Sequence, residues 1–165
     1  MDKYYYLISQ LPSLVFDKST YMSAEVFLDE ARKWMNPKDI SLLSQVNFKD
    51  TELNSKLPSD ICNYQNFEKA IRLEIAAWRK ARKTGQDFKP SLLPASTVKE
   101  GNPLEVEKKL LKTRWQFIDD MEKDHHFDLI FVMLYYLKLQ ILGRLMTFDK
   151  QKGMETFQKV SKVTL

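Results

Sequence analysis

Two histidines stand side by side in Asp124-His125-His126-Phe127-Asp128, the densest group of metal-ligating and acid–base side chains in the sequence. A metal needs ligands that converge, whereas adjacent histidines on a helix point about 100° apart, and no HExxH-type spacing backs them. The group therefore reads as a polar turn between two helices. Nucleophilic catalysis from Cys62 or a serine would need a histidine partner, and both histidines belong to that turn. The four glycines, Gly85, Gly101, Gly143 and Gly153, can assemble neither a phosphate-binding P-loop nor a GxGxxG turn. Accordingly, no catalytic, cofactor-binding or metal-binding residue is assigned, and the chain is expected to have no active site of its own.

Charge is the remaining chemistry. The balance of 26 Lys plus Arg against 22 Asp plus Glu gives a net charge of +4, mildly basic rather than tail-like. Within a helix expected over 64–84, Lys69, Arg72, Arg79, Lys80 and Lys83 lie opposite an apolar face and meet only Glu68 there. They read either as a solvated face whose cations complement the helix C-terminus, or as a docking stripe for an acidic partner. Four other charges fall inside apolar sectors: Glu74 beside Ile71 and Trp78, Glu107 and Arg114 on the next helix, and Arg144 between Leu137 and Ile141. A lone buried charge costs several kcal/mol, so pairing of Glu74 or Glu107 with Arg114 or Arg144 across helices is expected. The alternative for Arg144 is a stem that snorkels to solvent.

The elements that carry these charges are helical by pattern. The stretch 127–146 is the most apolar in the chain. Phe131, Val132, Tyr135, Tyr136, Leu139, Leu142, Gly143 and Met146 form one uncharged sector, and a second sector mixes leucines with Lys138, Gln140 and Arg144. That helix belongs in the middle of a bundle. Asn102-Pro103-Leu104-Glu105 starts a helix to about Lys123, Asn36-Pro37 starts a short one to about Val46, and Ser23 caps one through Trp34 with Phe27, Ala31 and Trp34 on one face. Gly85 closes the helix over 64–84. The tyrosine-rich start leans to helix over strand, 47–63 reads as a flexible loop with room for one turn of helix, 86–101 as a connector, and Asp149 opens a last helix carrying Met154, Phe157 and Val160. The fold expected is an all-α single domain over 1–165, with an N-terminal segment 1–46 and core helices over 64–165.

One cysteine allows no intrachain disulfide, and the first residues lack a cleavage pattern for a signal peptide. Asp128, Lys138, Gln140 and Arg144 interrupt the apolar stretch below the roughly 20 residues of a membrane span. A soluble, cytoplasmic protein is expected.

Three stretches carry a family resemblance: YYYLISQLPSL from Tyr4, NPLEVEKKLL from Asn102, and the run from Phe127 to Val160 that contains Tyr136-Leu137-Lys138-Leu139-Gln140-Ile141, Gly153 and Phe157. Together they resemble the uncharacterised family encoded among the genes of bacterial V/A-type ATP synthases. That family looks like a shortened counterpart of the rotary enzyme's cap, the all-helical protein that joins the central shaft to the membrane ring. A full-length cap is about twice as long as this chain. The resemblance implies a non-catalytic component that couples or stabilises the soluble and membrane sectors of an enzyme driven by H+ or Na+. It would lack cofactors, and its partners would be ATPase subunits on the central-stalk or membrane-ring side. It would be cytoplasmic, peripheral to the inner membrane through the complex. Two alternatives belong to other classes: a helical nucleic-acid-binding module using the stripe on 64–84, with steep salt dependence, and an unrecognised small-molecule enzyme.

Overall fold

Asp128 ends the polar turn and caps the helix that the other elements cover, its carboxylate accepting from the Phe131 amide at 2.8 Å. In the computed structural model, which describes residues 4–20, 22–94, 96–97, 102–148 and 150–161, seven helices follow one another and no strand occurs among the described residues. They are α1 (Tyr5–Ser9), α2 (Ala24–Trp34), α3 (Pro37–Leu43), α4 (Ser59–Thr84), α5 (Pro103–Glu122), α6 (Leu129–Met146) and α7 (Lys150–Ser161). The fold is an all-α single domain. α6 runs through its middle, with α5 along one side and α2, α3 and α4 around the rest.

Local start signals act as their chemistry requires. Ser23, Asn36 and Asn102 each accept an amide of the first turn, at 3.2, 2.8 and 2.9 Å. Gly85 takes φ +68° after Thr84, and the Gln86 amide reaches back to Ala81 O at 2.9 Å, so a left-handed residue closes α4. The tyrosine-rich start is helical, with Tyr4 and Leu7 buried and the Tyr4 hydroxyl donating to the Asp39 carboxylate. The expected opening of the last helix at Asp149 lies outside the described residues.

Four expectations need correction. Residues 59–63 are the first turn of α4 rather than loop, because Ile61, Tyr64, Gln65, Glu68 and Ile71 already share one buried face at helical spacing. The rest of the segment is tied to helices. Gln140 accepts from the Phe48 amide at 3.0 Å and donates to Val46 O at 2.9 Å, while the Tyr64 hydroxyl donates to Phe48 O at 3.0 Å. Trp34 is 46% exposed instead of core; it stacks on Tyr6 with centroids 6.0 Å apart and donates its indole N–H to Glu30. Around α6 both sectors are largely buried: Val132, Tyr135, Leu139 and Leu142 of the uncharged one, and Leu134, Leu137, Lys138, Ile141 and Leu145 of the mixed one; the uncharged sector is not dry along its whole length, since Gly143 and Met146 at its end are exposed.

Lys138 survives burial by geometry. Its Nζ lies 2.6 Å from Asp119 Oδ1, pairs with the Glu122 carboxylate and sits 5.3 Å over the Trp115 ring, all three on α5. α6 has the length and composition of a membrane span, but more than half of it is buried within the bundle.

The Gln140 clamp gives a first test. Gln140→Leu leaves the Phe48 amide and the Val46 carbonyl without their partners, and should lower stability by about 2 kcal/mol in urea unfolding, with an unchanged m-value.

Candidate docking face

α4 carries three acids and places none of them on its outer face. Asp60 is half-buried in the first turn, 3.7 Å from His125 Nε2. Glu68 is fully buried between α4 and α5. It accepts from Arg114 Nε at 2.6 Å and Arg114 Nη2 at 3.0 Å, and from Arg72 Nε at 2.8 Å. Arg114 is itself buried. Burial alone would weaken its charge, but the Glu68 hydrogen bonds and negative charge outweigh that and raise its pKa above the usual guanidinium value. The neighbouring Tyr64 hydroxyl is pushed up, chiefly by burial and then by the Glu68 charge.

Glu74 is buried by a different device. Its carboxylate accepts the backbone amides of Ser91, Leu92 and Leu93 and the Ser91 hydroxyl, with Leu92 at 3.0 and 3.2 Å and Leu93 at 2.9 Å. It thereby holds the connector between Pro90 and Pro94 on α4. Burial works to raise its pKa, and the amides of Leu92, Ser91 and Leu93 reverse this and hold it below the ordinary value of 4.5. Under this connector Ile71, Leu93 and Leu110 form a second small apolar cluster with Phe67, Ile75 and Val106.

With its acids turned inward, α4 exposes Lys69, Arg72, Arg79, Lys80, Arg82 and Lys83. All five cations of the expected stripe are on the surface, although Arg72 also donates to Lys49 O at 2.5 Å and serves Glu68. Arg82, missed in the stripe, lies 5.5 Å over the Trp78 ring beside a notch formed with Ala81 and Phe88. Leu73, 62% exposed, is the large apolar group among these cations. Glu68 does not face solvent, as its place opposite the apolar sector implied. It belongs to the buried register that begins at Ile61, and a helix taken to start at Tyr64 hides the beginning of that pattern.

The four inward charges resolve into separate arrangements. Glu107 and Arg144 approach to 3.5 Å, both half-buried, and the Arg144 guanidinium lies 5.0 Å over Phe148. Arg114 pairs with Glu68, and Glu74 takes amides instead of an arginine. At the histidine turn, His125 Nδ1 is 2.6 Å from Asp128 Oδ2, and no group of three or more metal-ligating side chains occurs among the described residues.

Comparison with known proteins adds one likeness. Residues 90–163 match the model of a family described as a protein of unknown function (DUF2764). The match takes in α5, α6 and α7 and leaves α4 outside it. No curated protein matches, and no solved structure matches.

Two outcomes follow from the buried acids. Glu68→Ala leaves Arg114 buried without its counter-charge and should cost about 3–5 kcal/mol in chemical unfolding, whereas Glu68→Met combined with Arg114→Met should recover most of that loss. For Glu74 the folded pKa lies below the unfolded one, so its contribution is complete above the unfolded value and is lost as pH falls through the folded one. Below pH 4.5, therefore, the parent should lose stability more steeply than Glu74→Gln, as read by thermal melts across that range.

Proposed function

We propose that this chain is a non-catalytic component of a V/A-type ATP synthase that docks through the outer face of α4 onto an acidic surface of a neighbouring protein in that complex. The observation that carries the docking reading is the run of exposed cations from Lys69 to Lys83, with no exposed acid on the helix to neutralise it. Such a face attracts an anionic surface at long range and fixes the orientation of approach. The complex is named by the resemblance of Tyr136 to Ile141, with Gly153 and Phe157, to the family encoded with those enzymes. In this reading the bundle is a rigid body on the cytoplasmic side, held to the membrane ring or central stalk by protein contacts.

Affinity purification from the native cell should retain ATPase subunits, and Arg79→Glu with Lys83→Glu should weaken their capture at low salt far more than at high salt. Retention of nucleic acid instead, with a steep salt slope, would replace this reading by the nucleic-acid one. The purified chain should hydrolyse no ATP above background, since it offers no phosphate-cradling loop.

A further inference from the structure

The outer face of α4 is ordered in rows. Lys69, Ala76 and Lys83 repeat at intervals of seven residues, Leu73 and Lys80 repeat at seven beside them, and Arg72 and Arg79 do the same along one edge. Every one of these side chains is exposed, Leu73 at 62%. Lys69, Leu73, Ala76, Lys80 and Lys83 therefore form one stripe at alternating spacings of four and three, the spacing by which one helix lies along another. At the rise of an α-helix the stripe is about 21 Å long.

Charge alone does not describe this stripe. Lys69 stands before its centre and Lys80 and Lys83 after it, while the centre itself is apolar: Leu73, Ala76 and Ala77 are all exposed there. Arg72 is already held by Glu68 and Lys49 O, so it belongs to the edge. A flat acidic surface would pair with the cations and set polar groups against Leu73, whereas an apolar centre inside a charged rim is the anatomy of a protein contact. A phosphate backbone brings no apolar group to Leu73. A second copy of the same face carries the same sign and is repelled.

We infer that the occupant of α4 is a single amphipathic helix of a partner protein, laid along α4 with an apolar residue over Leu73 and Ala76 and with carboxylates at seven-residue intervals against Lys69, Lys80 and Lys83. The small side chain of Ala76 lets the two axes approach to the separation of close-packed helices, about 8–10 Å. This inference rests on the docking reading of α4 given above and adds the shape of the partner to its sign.

The probe is a labelled synthetic helical peptide of three heptads, with leucine and alanine on one stripe and glutamate flanking it. Fluorescence anisotropy with the full chain should show it bound at least about tenfold more tightly than a peptide of the same composition in an order that breaks the stripe. Leu73→Lys is the deciding variant. It adds a cation to the face, so attraction to acid alone would tighten binding, whereas loss of the apolar centre should weaken it about tenfold. Ala76→Gln adds bulk and no charge, and should weaken binding as well. Both positions are exposed, so the circular dichroism and melting of the variants should match the parent. Equal binding of the two peptides, or tighter binding by Leu73→Lys, overturns the helical occupant and leaves the acidic docking surface standing. Failure of both peptides to bind at low salt overturns the two together, and so does a duplex DNA that binds more tightly than the patterned peptide.

Discussion

Glu68 cannot be buried alone, and the rotation of α4 follows from that. Its carboxylate has no water to turn to, so two guanidiniums must reach it, one from the next turn of its own helix and one from α5. Arg114 meets it with both Nε and Nη2, which sets the register of α5 against α4 as well as their separation. Once that side of α4 faces inward, Glu74 follows it six residues on and finds the connector amides. What remains outside is cationic. The outward charge of this helix is thus a consequence of where its acids had to go.

The same logic, with the sign reversed, governs α6. Lys138 is the cation in the helix that lies nearest the centre of the bundle, and it turns toward the acidic end of α5, where Asp119 and Glu122 neutralise it and Trp115 lies under it. That turn carries the mixed sector into the interior, where Val132, Tyr135, Leu139 and Leu142 of the uncharged sector are buried as well, and only Gly143 and Met146 at its end are exposed. Electrostatics, rather than apolar content, orients this helix, since nearly every side of it could be buried at similar gain.

Connections between helices are held by side chains from the helices themselves. Gln140 clamps residues 46–48, Tyr64 secures Phe48 from the other side, Gln65 accepts from the Asn54 amide at 3.3 Å, and Tyr135 reaches Pro12 O at 2.8 Å. Backbone groups in non-helical segments must find partners somewhere, and here polar groups of α4 and α6 supply them. Low sequence periodicity over 47–58 therefore did not reveal how closely that segment is bound to the bundle.

What the sequence by itself determined is local. The helix starts at Asn36-Pro37 and Asn102-Pro103, the stop at Gly85, and the all-α class were legible because a cap or a left-handed residue acts within a few residues of chain. The apolar stretch ending at Met146 was legible for the same reason, as a helix with a 3.6-residue period. The exposed stripe on α4 could be named, but not the reason it lacks a counter-charge, because Glu68 reads as solvent-facing until Arg114 is placed 46 residues away. Only the tertiary structure decided that Lys138 of α6 is inside with Asp119 and Glu122, which carboxylate pairs with which guanidinium, and that Trp34 lies on the surface. Each of these depends on a group brought close from a distant part of the chain, and the energy of burying a charge or a ring is set by what stands opposite it rather than by its own neighbours in sequence.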